Sequence, residues 1–124
     1  MPDRLEQLVE SDPRFRVEAY LFVFESLREA QRIHQRSKHV SARELLDGFR
    51  ELARSRFGLM ARKVLSSWGL NCTRDVGAVV FNLVNSGLMS KTDEDSVEDF
   101  EGVFEFETAF VRDYRIPDAP KRGN

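Results

Sequence analysis

The chain is poor in cysteine and histidine and has no long apolar run. Cys72 is the one cysteine among 124 residues, so no internal disulfide can form, which suits a reducing compartment. The longest apolar run, AYLFVF, spans six residues. A bilayer needs roughly 18–20, and the run does not sit where a signal peptide would place it. A cytoplasmic location is therefore expected. His34 and His39 are the only histidines, and with Cys72 they make neither the paired-Cys nor the helical His spacing of a zinc site. No G-x-G-x-x-G, P-loop or G-x-S-x-G motif occurs. Cys72 and His39 lack a third group to orient them for nucleophilic catalysis. The expectation is a protein that is not an enzyme and takes no cofactor, metal or small-molecule substrate. Tyr and Trp are also scarce, two and one against ten Phe. Phe carries no polar handle, so most of the ten belong in a core.

What is present is the size and mix of one globular domain, 41% apolar and 32% charged. Residues 1–12 can form a short helix ended by the Asp12–Pro13 step. Residues 16–34 read as a long helix, apolar nearly all round in its first half and so expected deep between neighbours. Ser41 with Glu44 is a capping-box pattern that opens a helix over 42–57, with Leu45, Leu46, Phe49, Leu52 and Ala53 as its buried stripe. Met60 to Trp68 set a further apolar face, Gly69 stops it, and Thr73 is placed to cap the next helix, with Asp75 in its first turn. The β-branched run AVVFNLV favours a strand on propensity, but its spacing and the NSG terminator favour a helix. Residues 88–91 and 103–106 are candidate strands around the acidic linker TDEDSVEDFEG.

The fold class that follows is mainly α with a small β-hairpin. It is winged-helix-like, a helix-turn-helix plus an acidic wing with an extra N-terminal helix, occupying residues 1–116 before a disordered tail at 117–124.

A net charge of −2 hides a split. Residues 37–74 hold eight basic and three acidic side chains, a balance of +5; residues 75–111 hold one basic and nine acidic, a balance of −8. Such blocks either present a dipolar surface to a partner or face one another within the fold. A helix-turn-helix invites nucleic acid, through Arg43, Arg50, Arg54, Arg56, Arg62 and Lys63 on the earlier helices and Arg74, Asn82 and Asn85 on the second helix. An acidic wing opposes that use, because phosphate contacts supply much of the affinity. The wing residues Asp93, Glu94, Asp95, Glu98, Asp99 and Glu101, with Phe100 and Phe104 as apolar anchors, instead fit a contact patch for a basic protein partner or a second copy. The alternative is that both Phe residues fold back onto the body. The acidic run lacks the spacing and central Gly of an EF-hand.

The segments YLFVFESL, HVSARELLDGFRE, FGLMARKVLSSWGL and DVGAVVFNLVNSGLMSKTDEDSVEDFEGVFEF resemble a family of short bacterial conserved hypothetical proteins. The resemblance runs over residues 19–110. It implies a bacterial, cytoplasmic, single-domain protein and carries over no catalytic or binding residue.

Overall fold

The computed structural model describes residues 4–90 and 96–112. Five α-helices run in order: α1 Arg4–Ser11, α2 Val17–His34, α3 Ala42–Phe57, α4 Ala61–Ser67 and α5 Thr73–Asn85. A 3-10 turn at Gly58–Met60 joins α3 to α4, another lies at Val97–Phe100, and a π turn at Thr108–Arg112 closes the described chain.

The centre is an antiparallel pair of α2 and α3. Their register is marked by His34 Nε2 against Asp47 Oδ2 at 3.0 Å near one end and by Arg56 donating to Glu25 at 2.5 Å near the other. The capping box at Ser41 forms as its residue types dictate: Glu44 N–H donates to Ser41 Oγ at 3.1 Å, and Ser41 N–H donates to Glu44 Oε1 at 3.0 Å. Such a cap contributes about 1 kcal/mol. Between the paired helices the backbones nearly touch. A Cβ on Gly48 would lie 2.5 Å from Ser26 O and 2.6 Å from Ala30 N. Ser26 is buried there, its hydroxyl satisfied by donating to Phe22 O at 2.8 Å. α5 packs across this pair through Val76, Val79, Val80 and Leu83, and burial overrides the weak helix propensity of its valines. None of the ten Phe is exposed. Trp68 is half-buried against Phe22 and Phe57, with ring centroids 5.7 and 5.6 Å away.

The wing is corrected. No strand occurs among the described residues, and Leu88, Met89 and Val103 of the candidate strands send their N–H groups elsewhere. Leu88 and Met89 turn back on α5, their N–H groups bonding Leu83 O at 2.9 and 3.2 Å. Val103 N–H bonds the Thr73 hydroxyl at 3.3 Å, while Phe104 and Phe106 stack at 5.9 Å between centroids. Between them, Asp99 carboxylate accepts the Ser96 N–H at 2.7 Å and starts the 3-10 turn. The helix pair α4–α5 remains, and the fold is mainly α rather than winged-helix-like. Lys91 and residues 117–124 lie outside the described residues.

Two smaller readings change as well. Thr73 is not the cap of α5. Cys72 takes that position, and the buried Thr73 hydroxyl donates to Phe100 O at 2.5 Å. α2 is not sunk all round, since Leu21 is 48% exposed on its outer face.

The N-terminus is held by a polar latch. Asn82 Nδ2 donates to Asp12 Oδ2 at 2.9 Å and to Tyr20 Oη at 3.1 Å. Arg14 grips the same carboxylate from Nε at 2.8 Å and Nη2 at 2.7 Å. The Arg14 guanidinium, helped by Asn82, holds the Asp12 carboxyl well below the usual carboxylate range, against the opposing effect of burial. A pKa depressed in the folded state adds stability that is present above the unfolded value of about 3.9 and is lost as pH falls through the folded one. Asp12→Asn is therefore expected to be less stable than wild type at neutral pH, with the gap narrowing steadily as pH falls below about 5. Urea titrations at fixed pH read this directly; parallel curves would remove the latch from the acid response.

Candidate functional site

A groove of about 540 Å³ opens between α2, α3 and α5. α2 contributes Phe24 and Leu27, the α2–α3 connection Lys38, His39 and Val40, and the start of α3 Ser41, Ala42 and Leu45. Val80 of α5, the turn at Leu88, Met89 and Ser90, and Phe100 of the 3-10 turn complete it. Each wall is placed by a local device. Gln31 Nε2 donates to Lys38 O at 2.8 Å and fixes the connection. The backbone bonds to Leu83 O turn Leu88 and Met89 towards the groove. Phe100 is set by Gly77, where an added Cβ would come within 2.8 Å of the Phe100 side chain. Phe81 meets the same ring edge-on at 6.3 Å.

The walls Phe24, Leu27, Val40, Leu88 and Met89 are half-buried, whereas Ala42, Leu45, Val80 and Phe100 are buried beneath them. Its volume lies within the roughly 300–1,000 Å³ usual for binding pockets. Among the described residues no acidic side chain lines it, and Lys38 and His39 supply its basic groups.

The residues expected to form an acidic contact patch are dispersed in use. Asp93, Glu94 and Asp95 lie outside the described residues. Asp99 caps the 3-10 turn and Glu101 pairs with Arg74, leaving Glu98 exposed and without an ion pair among the described residues. Phe100 is 2% exposed and belongs to the groove floor. Phe104 is half-buried beneath the Arg50 guanidinium, 5.1 Å from its ring centroid.

The basic set considered for nucleic acid is likewise engaged. Arg50 pairs with Asp47 at 3.2 Å, Arg54 with Glu51 at 3.9 Å and Arg56 with Glu25 at 2.5 Å. Arg62 bonds Asn71 Oδ1 at 3.3 Å. Asn82 is held in the latch, while Arg43, Lys63 and Asn85 are exposed. Across the two charge blocks the described ion pair is Arg74–Glu101.

Cys72 is exposed beside a second cavity of about 320 Å³, where Arg62, Arg74, Glu101 and Glu107 gather at the start of α5. His39 borders the first cavity and Cys72 the second. The groove went unread in the sequence because the SKHV segment reads as a mere break. The one usable signal was a lysine and a histidine beside Val40, ahead of a capped helix.

The chain matches no family model, no curated protein and no solved structure. Among the described residues no helix is long and apolar enough to cross a membrane.

Proposed function

We propose that the protein is a non-enzymatic protein-interaction module of the cytoplasm, and that its contact surface is the α2–α3–α5 groove. The observation that carries this reading is the open apolar lining of the 540 Å³ groove, with Phe24, Leu27, Leu88 and Met89 left half-buried. A partner that covers them removes their remaining apolar area from water, the arrangement of an interface with an apolar centre and polar rim. The sequence pointed to a basic partner or a second copy. For a basic partner the described acidic stretch offers little beyond Glu98. A second copy related by a two-fold through the groove sets one concavity on another and fills neither. The partner that fits is a convex apolar element.

Met89→Lys places a charge in the groove wall and leaves the backbone bond of residue 89 to Leu83 intact. Partner affinity is expected to fall at least about ten-fold, which is about 1.4 kcal/mol. The check is a pull-down with wild type and variant matched by far-UV circular dichroism. Identical sets of retained proteins would remove the groove from the reading.

A further inference from the structure

We infer that the groove takes a segment of a partner protein that brings apolar side chains together with a carboxylate, and that Lys38 and His39 select the carboxylate. This rests on the groove being the contact surface. Among the described residues Lys38 and His39 border it, and no Asp or Glu does. Both are exposed, and neither has an ion-pair partner among the described residues. The nearby Arg36 differs, since Glu44 neutralises it at 2.8 Å. Glu44 also bonds the Ser41 N–H at the start of α3, so that helix end is already served by the chain's own carboxylate. Attraction for an incoming acid therefore falls to Lys38 and His39.

The connection that carries them is fixed in place. Gln31 holds the Lys38 carbonyl at 2.8 Å, and the capping box anchors Ser41. The backbone of the connection is already positioned, so ordering on binding is confined to the side chains. An open groove with half-buried walls suits a helical or extended segment laying apolar side chains along it. An enclosed pocket would suit a small ligand better, because such sites bury most of the ligand surface.

The test uses the full chain and three synthetic helical peptides. All carry Leu at i, i+3, i+4 and i+7, flanked by Glu, Gln or Lys. Fluorescence polarisation at low salt is expected to show the Glu peptide bound at least about ten-fold tighter than the Lys peptide, with Gln between them. The paired substitution Lys38→Glu and His39→Glu is expected to reverse the order, and Met89→Lys to weaken the uncharged Gln peptide at least about ten-fold. Equal binding of the three peptides, or a preference untouched by the Lys38 and His39 changes, overturns the inference and leaves the groove as a contact surface. Gln-peptide binding unchanged by Met89→Lys, or no binding at all, removes both. Sedimentation of wild type covers the remaining occupant: a dimer lost in Met89→Lys assigns the groove to a second copy and overturns the inference.

Discussion

Gly48→Ala is expected to destabilise the protein by about 3 kcal/mol or more, at the upper end of the usual cost of overpacking. On an exposed helix the same change stabilises by about 1 kcal/mol, because Ala is the better helix former. The sign reverses here because of what the new methyl meets. Ser26 O would be 2.5 Å away, Ala30 N 2.6 Å and Ala30 Cα 2.9 Å. All three are backbone atoms of α2, so no rotamer change relieves the contact. The two helices must separate, and separation loosens the packing of Phe22 on Phe49, whose centroids are 5.5 Å apart. Urea denaturation followed by circular dichroism reads the result. A variant as stable as wild type would mean that the α2–α3 crossing is wider than described.

Gly48 also marks the limit of pattern reading. Of the stripe Leu45, Leu46, Phe49, Leu52 and Ala53 that identifies the buried face of α3, four are buried and Leu52 is half-buried. A glycine inside that stripe carries no hydrophobic signal, yet it sets how closely α2 approaches. The start of α3 was legible for the opposite reason. A capping box is made by residues three apart in sequence, so Ser41 and Glu44 contain the whole device. Thr73 shows the intermediate case. Its residue type suited a cap, but its hydroxyl serves Phe100 O and Val103 N–H, partners far along the chain.

The same distance in sequence explains the wing. Short apolar pairs such as Leu88–Met89 and Val103–Phe104 are compatible with strands until one knows where their N–H groups go. Leu83 O and the Thr73 hydroxyl take those donors, and a ladder then has nothing to pair. The candidate site depended still more on assembly. Lys38, Leu88 and Phe100 come from a loop, a post-helix turn and a 3-10 turn, and they share a surface only after α5 crosses α2 and α3. Charge counting located the two blocks correctly. Of the pairs that take up the basic block, Arg50–Asp47 and Arg54–Glu51 lie three residues apart and are legible on a helix surface, whereas Arg56–Glu25 joins two helices and is not.

Phe49→Ala is expected to cost about 3–5 kcal/mol, the range for truncating a fully buried aromatic residue. Phe49 is 0% exposed and joins two parts of the fold. On one side it meets Phe22 of α2 edge-on at 5.5 Å; on the other it stacks on Phe106 at 5.7 Å and reaches Phe110 at 6.4 Å. Aromatic pairs add about 0.5–1.5 kcal/mol each beyond the area they bury, so the lost ring removes more than its transfer energy. The vacated space has little to collapse into it, because Phe106 and Phe110 already hold each other at 5.2 Å. Loss of the ring should therefore loosen the 104–110 segment before it melts the helices. Amide exchange separates the two effects: protection is expected to fall first at Phe106 and Phe110 and later at Leu45 and Val79. A loss below about 1.5 kcal/mol, nearer to a tolerated hydrophobic swap, would mean that the C-terminal segment does not lean on Phe49. Loss of protection in all segments together would mean that the segment and the helices unfold as one unit.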